Sequence, residues 1–225
     1  MKKKVFISAL FMALILSVNA QKLRLNLYGG YVFDDSFDSY YDYNAYSGYQ
    51  GKIKGGFQWG AGLEYMLQPS YGLEVYYLRQ DTKAPAQYFT SNILQGYEET
   101  EFNVAINYIM IGGNRYILNN PKINPFFGLS AGACILDVEN PEKGTEESVV
   151  KFAWAMRGGA LFNASEKFGI KLQASLMSAV QGAGGGVYFG TGGVGTGVST
   201  YSSMYQFGLG GGIVIKFQQK AQQTQ

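Results

Sequence analysis

The chain has 225 residues, of which 15% are charged and 16% are aromatic, and 31 residues are glycine. Soluble domains usually carry about a quarter charged residues, so part of this surface is expected to contact an apolar solvent. A net charge of +2 gives no reason to expect nucleic acid as a partner, and a single cysteine excludes an internal disulfide. The absence of histidine argues against Ser–His catalysis and against zinc, so we expect no enzyme, metal or cofactor.

The N-terminus has the features of a secretory signal peptide. Three lysines at positions 2–4 precede an apolar stretch at 5–16. Val18-Asn19-Ala20 then supplies small residues three before and one before a cleavage point. We therefore expect cleavage between Ala20 and Gln21 and export of the mature protein.

After this segment, the sequence predicts strands and no membrane-spanning helix. The stretch 172–215 contains no charge, but 13 of its 44 residues are glycine, and each glycine costs a helix about 1 kcal/mol relative to alanine. Lipid accepts only helices and closed barrels, because both pair all of their backbone polar groups. An apolar environment without helices therefore indicates a closed β-barrel.

Eight segments alternate apolar with polar or small residues, as membrane-barrel strands do. They cover residues 22–31, 55–66, 71–80, 101–118, 124–136, 150–163, 168–180 and 201–217. In the fourth segment the alternation assigns the even-numbered residues from Phe102 to Met110 to the lipid-facing side, and Gly112-Gly113 is a candidate bulge. The pattern predicts an all-β, antiparallel, up-and-down transmembrane barrel of eight strands, with ten strands as the alternative.

The connections between these segments alternate in length. Short ones are predicted at 68–70, 119–123 and 164–167, and long ones at 32–54, 81–100, 137–149 and 181–200. Long loops on one side only are typical of outer-membrane barrels, where they are extracellular. The predicted organisation is a signal peptide at 1–20, a barrel at 21–217 and a short polar periplasmic tail at 218–225.

Two short motifs carry a family resemblance. The last segment resembles the terminal strand by which outer-membrane barrels are recognised for insertion, with Gly212, Ile215 and Phe217 at its glycine, hydrophobic and aromatic positions. The stretch 122–132 is similar to the fifth strand of the outer membrane protein β-barrel domain family, which is often called the porin family on fold grounds. The resemblance implies a small OmpA- or OmpX-like barrel in the outer membrane of a Gram-negative cell, in contact with outer-membrane lipid and with the barrel-assembly machinery.

The inward faces of the predicted strands carry five charges. The second and third strands form a hairpin, so Glu64 and Glu74 are expected to lie nearly opposite each other and to face the lumen. Like charges in that arrangement are destabilising. Arg24, Arg157 and Lys171 are on the same inward face, and we expect them to form an ion-pair network with the two carboxylates. Such a network would plug an eight-stranded barrel, which is only wide enough for side chains to fill.

The first long loop is rich in acidic and aromatic residues. They are Asp34, Asp35, Asp38, Asp42, Tyr40, Tyr41 and Tyr43. Carboxylates bind Ca²⁺ and tyrosines make adaptable contact surfaces, but the spacing fits no EF-hand template, and a solvated loop explains the pattern as well. The loops at 32–54 and 181–200 are the candidate contact surfaces for an extracellular partner.

Three functions fit the sequence. The first is a structural or interaction barrel that acts through its extracellular loops. The second is a narrow diffusion pore. The third is a soluble lipocalin-like barrel that binds a ligand, which would require an apolar interior and a polar exterior, the reverse of the predicted pattern.

Overall fold

The computed structural model describes residues 22–42, 47–89, 98–142, 144–180, 186–190, 193–197 and 204–217; at 35–51, 86–99 and 186–197 the backbone alone is described. Twelve strands occur in these ranges. They are β1 (Leu23–Val32), β2 (Asp35–Asp42), β3 (Ser47–Ile53), β4 (Gly56–Gln68), β5 (Tyr71–Phe89), β6 (Glu98–Tyr116), β7 (Ile123–Asn140), β8 (Thr145–Asn163), β9 (Phe168–Val180), β10 (Gly186–Gly190), β11 (Gly193–Gly197) and β12 (Met204–Lys216). Among the described residues, no helix is long and apolar enough to cross a membrane.

Eight of the strands close into an antiparallel barrel. Their order is β5-β4-β1-β12-β9-β8-β7-β6, and β5 also pairs with β6. Each of the eight overlaps one predicted segment, so the predicted eight-stranded barrel is confirmed and ten strands is wrong. We call the end with the tight turns at 69–70, 117–122 and 164–167 the turn end, and the opposite end the extended end.

The extended end is built more from strands than predicted. β2 pairs with β3, so the predicted loop at 32–54 contains a hairpin. β3 also pairs with the part of β5 nearest the extended end. β10 and β11 form a second hairpin within 181–200. The predicted long loop at 137–149 is wrong, because β7 and β8 continue to a tight turn between Asn140 and Thr145 in which Gly144 has φ of 63°.

The outer wall carries an apolar belt on every barrel strand. Exposed examples, one from each strand, are Leu27, Leu63, Val75, Ile111, Leu129, Phe152, Leu172 and Leu209. At the extended end the belt stops at a polar ladder across β5 to β8. Asn107 accepts hydrogen bonds from Tyr77 Oη at 2.7 Å and Arg79 Nη1 at 3.2 Å, and it donates to Asp137 Oδ2 at 3.1 Å. Ser148 Oγ donates to Asp137 Oδ1 at 2.6 Å.

The face assignment of the fourth predicted strand is wrong. The even-numbered residues of β6 from Phe102 to Met110 are buried inside the barrel, whereas Ile109 and Ile111 face outward. For Phe102, Val104 and Ile106 the reason is that this part of β6 lies beyond the polar ladder, where the exterior is polar and the interior is apolar. Tyr108 and Met110 continue the same inward face on the other side of the ladder. The alternation predicted for this strand is present in the structure, but its apolar residues face the interior of the barrel and not the lipid.

The candidate bulge at Gly112-Gly113 is also wrong. Both glycines keep an unbroken register with β5 and with β7. The irregularity lies instead next to the β4–β5 turn, where the register shifts between Met66 and Gln68.

The interior has three layers. An apolar core fills the extended half of the barrel and includes Phe102, Ile106, Leu136 and Met177. Charged and amide side chains occupy the half nearer the turn end, above a small apolar cluster at the turn end itself. The charged layer therefore lies between two apolar layers.

Candidate functional site

The centre of the charged layer is a pair of facing carboxylates. Glu64 and Glu74 are direct Cα partners on β4 and β5, and both are 0% exposed. Two glycines leave room for them. A Cβ added at Gly62 would lie 2.5 Å from Glu74 Oε1, and a Cβ at Gly72 would lie 2.5 Å from Glu64 Oε1. Glycine is therefore needed at positions 62 and 72, because a side chain at either position would overlap one of the two carboxylates.

Glu74 accepts hydrogen bonds from four side chains. Oε1 receives Asn26 Nδ2 at 2.6 Å and the hydroxyl of Tyr28. Oε2 receives Arg157 Nη2 at 2.8 Å and Asn114 Nδ2 at 3.0 Å. A buried carboxylate with a charged partner and three neutral donors is compensated for the loss of hydration.

Glu64 is held mainly by neutral donors. Its Oε1 accepts from Asn114 Nδ2 at 2.7 Å and from Tyr116 Oη at 2.8 Å. Arg24 Nη1 lies 3.7 Å from Glu64 Oε2, which is an ion-pair distance and too long for a hydrogen bond. Asn114 Nδ2 therefore lies between the carboxylates of Glu64 and Glu74 and donates to both.

Arg157 reaches the pair from the far wall of the barrel. Its guanidinium carbon lies 4.1 Å from the ring centroid of Tyr76 and 5.7 Å from that of Tyr28, so it is stacked between aromatic faces. Tyr76 Oη is itself 2.6 Å from Ser130 Oγ. We call Glu64, Glu74, Asn26, Tyr28, Asn114, Tyr116, Arg24 and Arg157 the lumen network.

Lys171 differs from the prediction. It is fully buried, but its Nζ has no hydrogen-bond partner and forms no close ion pair with any described residue. The ammonium instead lies 5.0, 5.7 and 5.8 Å from the ring centroids of Phe126, Tyr28 and Tyr116. Strand position placed Lys171 in the right layer, but its ammonium lies against aromatic rings and at ion-pair distance from neither carboxylate.

The neutral members of the network were not among the residues predicted from the sequence. Asn26 and Tyr28 follow Arg24 on the inward face of β1 at the required spacing of two. Asn114 and Tyr116 continue the even-numbered face of β6, which had been assigned to lipid. Assigning the even-numbered residues of β6 to the inward face would have placed Asn114 and Tyr116 beside the carboxylates.

The next layer is also filled. Tyr108 Oη donates to Gln206 Oε1 at 2.8 Å, and Gln206 Nε2 donates to Gln80 Oε1 at 3.0 Å across the barrel. Between this layer and the lumen network lies a cavity of about 20 Å³ whose lining includes Gln58 and Gln173. That volume suits a single water molecule.

The predicted assembly residues lie at the barrel seam. Gly212 of β12 pairs with Tyr28 of β1, Ile215 pairs with Leu25, and Phe217 donates its backbone N–H to the carbonyl oxygen of Leu23 at 3.1 Å. The Phe217 side chain is 41% exposed on the outer wall. The tail at 218–225 lies outside the described residues.

The acidic first loop is only partly described. Asp34 forms an ion pair with Lys52 and accepts the backbone N–H of Gly55 at 2.6 Å, and these contacts hold the pKa of Asp34 below its usual value. The side chains of Asp35, Asp38, Tyr40, Tyr41 and Asp42 and the whole of Tyr43 lie outside the described residues. Among the side chains that are described, no three acidic or cysteine residues lie close enough to hold a metal ion.

A surface groove lies just beyond the polar ladder on the outer wall. Its volume is about 760 Å³, and β5 to β8 all contribute to it. The charged residues that line it are Arg79, Lys83, Asp81, Asp137, Glu139, Glu146 and Glu147. Arg79 is paired with Asp81, and Lys83 is paired with Glu101, so the groove has an acidic character on its β7–β8 side.

Comparison with known proteins identifies the fold and nothing finer. No family model matches the chain, and no curated protein matches it. Among solved structures, Neisserial surface protein A is similar over 87% of this chain and 97% of its own, with a TM-score of 0.54 and 11% identity. The outer membrane protein OprG from Pseudomonas aeruginosa is similar over 86% and 95%, with a TM-score of 0.51 and 13% identity.

This chain has the fold of the small outer-membrane β-barrels. The outer membrane protease OmpT from Escherichia coli is also similar, over 87% of this chain and 96% of its own, with a TM-score of 0.50 and 9% identity. Because proteins as different as a surface protein and a protease share this architecture, the fold does not decide the function.

Proposed function

We propose that the protein is an outer-membrane barrel with a closed lumen, which acts by presenting a surface at its extended end. The observation that carries the proposal is the lumen network. It crosses the barrel from β4 and β5 to Arg157 on β8, with every carboxylate oxygen engaged, and the cavity on its extended side holds only about 20 Å³.

The outer wall supports insertion into a membrane. The apolar belt goes round all eight barrel strands, and a soluble barrel would expose those side chains to water at a large cost. The predicted export signal and the turn end with its tight connections both fit an outer-membrane barrel whose turn end faces the periplasm. The lipocalin-like alternative is disfavoured, because the apolar interior of the extended half is filled by side chains.

The extended end supports an interaction role. Strands β5 to β8 continue beyond the polar ladder as a paired sheet, with β3 added to β5, and they carry the groove on their outer wall. Rigid strands position a surface more precisely than free loops do. We therefore assign the contact surface to this sheet and its two hairpins.

Planar-bilayer recording tests the closed lumen. The wild-type protein is expected to show little steady conductance, and Arg157→Ala is expected to stay closed as well, because the Tyr108–Gln206–Gln80 layer and the apolar core still fill the extended half. Arg115→Ala is the matched control, since Arg115 lies on the outer wall against Tyr71. Large, stable wild-type channels would overturn the closed lumen and favour a diffusion pore.

Cell fractionation and surface labelling test the location. The folded protein is expected in the outer-membrane fraction, with the heat-modifiable gel mobility of a barrel. Glu139→Cys at the extended end should react with a membrane-impermeant maleimide on intact cells, whereas Lys122→Cys at the turn end should not. Recovery of folded protein from the soluble periplasm, or the reverse labelling pattern, would contradict the proposal.

A further inference from the structure

A basic pocket opens at the turn end, between the first and last barrel strands and the β4–β5 turn. Its volume is about 290 Å³. It is lined by Lys22, Arg24 and Lys216 on one side and by Met66, Leu67, Gln68 and Pro69 on the other. No carboxylate occurs among these lining residues, so the pocket has one cationic wall and one largely apolar wall.

The strand register brings two of the cations together. Arg24 of β1 and Lys216 of β12 are direct Cα partners. Like charges directly opposite each other are destabilising unless an anion lies between them. Lys216 Nζ donates to Asn163 Oδ1 at 2.6 Å, but this partner is a neutral amide and leaves the charge of Lys216 uncompensated.

Arg24 also has an unused hydrogen-bond donor. Its Nη1 is buried and makes no hydrogen bond to any residue that the structure describes, and it lies 3.7 Å from Glu64 Oε2. The ring of Tyr116 lies 5.2 Å from the guanidinium carbon and covers one of its faces. Because Nη1 is closed to solvent on the side of Glu64, Arg24 contributes its positive charge to the pocket through the part of its side chain that is exposed, which is 18%.

The pocket lies at the lower edge of the apolar belt. Leu67, which forms part of its wall, is 57% exposed on the outer surface, and Phe217 lies on the same rim after the last strand. A ligand whose anionic group occupied the pocket could therefore lay an apolar chain along the outer wall. A small inorganic anion would use only half of the site.

We propose that this pocket binds a phosphate group carried by the headgroup of an anionic phospholipid in the leaflet at the turn end. Arginine and lysine together suit phosphate, with guanidinium donors in a fixed fork and ammonium groups as point charges. Inorganic phosphate offers the same anion without the acyl chains. The inference rests on the membrane insertion proposed above.

The test uses full-length mature protein in a phosphate-free maltoside detergent. Phosphatidylglycerol, phosphatidylcholine and inorganic phosphate are added in turn; bound lipid is counted by native mass spectrometry, and bound inorganic phosphate is followed by phosphorus NMR. The wild-type protein should retain phosphatidylglycerol in preference to phosphatidylcholine. Lys22→Gln with Lys216→Gln should weaken phosphatidylglycerol binding about tenfold, because each lysine near an anionic lipid contributes to binding.

The matched control replaces Lys122 and Lys167 by glutamine, since both lie in turn-end connections outside the pocket. This control should bind phosphatidylglycerol as the wild type does, and heat-modifiable mobility verifies that every variant is folded. No lipid preference in the wild type, or equal loss in the control, would overturn the proposal. Binding of inorganic phosphate without lipid preference would overturn the lipid source. Because the assay uses detergent, these outcomes do not depend on where the protein resides in the cell.

Discussion

The carboxylates of Glu64 and Glu74 face each other on neighbouring strands in the interior of the barrel, and neither is exposed to solvent. Two buried like charges in that arrangement are tolerated only when each has partners of its own. Glu74 has Arg157, Glu64 has Arg24 at longer range, and Asn114 donates to both. The stability of the barrel should therefore depend on single members of this network.

Replacing Glu74 by glutamine should destabilise the barrel strongly. The change leaves the buried guanidinium of Arg157 without its carboxylate, and breaking a buried pair in this way typically costs about 3–5 kcal/mol. Urea unfolding of the refolded protein in detergent, followed by tryptophan fluorescence, measures the loss. Glu146→Gln is the control, because Glu146 is exposed at the extended end. Equal unfolding midpoints for the two variants would contradict the argument.

Removing both partners should cost less than removing one. Arg157→Met with Glu74→Gln removes both charges of this pair and leaves neither behind without its partner, so we expect part of the loss caused by Glu74→Gln to be restored. A double-mutant cycle of the unfolding free energies measures the coupling between Arg157 and Glu74. If the two losses simply added, the residues would act independently and the ion pair would have no energetic meaning.

Gly72→Ala should destabilise the barrel by about 1–3 kcal/mol, because the new methyl group would overlap the carboxylate of Glu64. Gly113→Ala is a close control on the neighbouring strand. An added Cβ there meets nothing nearer than the carbonyl oxygen of Gly72 at 3.9 Å, on the lipid-facing side. Thermal unfolding by circular dichroism compares the two, and a larger effect at Gly113 would contradict the packing argument.

The sequence predicted the barrel because period-two alternation survives in every strand that lies within the belt. The assignment of residues to the inner or outer face was wrong where the outer wall changes from apolar to polar. In β6 the alternation is as regular as elsewhere, but Phe102, Val104 and Ile106 are buried inside the barrel, because the outer face of that part of the strand is polar. Periodicity assigns residues to two faces, and the environment decides which face is the inner one.

The charged members of the candidate site were predictable from strand parity, but their partners were not. Arg24, Arg157 and Lys171 share an inward face with the glutamates, yet the distance across a barrel depends on its tilt and register, which a single sequence does not contain. Lys171 consequently lies against Phe126 and Tyr116, where the prediction had placed an ion pair.

The ion pairs of Glu101 at the extended end should persist in mild acid. Lys54 Nζ lies 2.7 Å from Glu101, and Lys83 contacts its other oxygen; these two hydrogen bonds lower the pKa of Glu101 to about 2. Because the pKa of Glu101 is lower in the folded protein than its ordinary value, the ion pairs stabilise the fold at pH values above about 4.5. This contribution is lost as the pH falls from about 4.5 towards about 2. Carboxyl carbon NMR should show Glu101 still ionised at about pH 4. Titration of Glu101 together with the other exposed glutamates would contradict the pairing.

Phe217 should matter for assembly more than for the folded barrel. Its side chain lies on the outer wall beyond β12, and its backbone N–H bonds Leu23 of the first strand whatever the side chain is. We expect Phe217→Ala to lower the amount of protein that reaches the heat-modifiable form in cells, because the resemblance assigns this aromatic to recognition during insertion. The unfolding midpoint of the protein that does fold should change little.

Deletion of residues 218–225 is the matched test of the same terminus. Removing this tail should leave insertion close to the wild-type level, because the aromatic of the terminal strand is kept. A conservative Phe217→Tyr variant should restore most of the insertion lost in Phe217→Ala, since it keeps the ring. Pulse-chase labelling of the outer-membrane fraction measures all three variants. If the tail deletion reduced insertion more than Phe217→Ala, the recognition element would lie in the tail and not in the last strand.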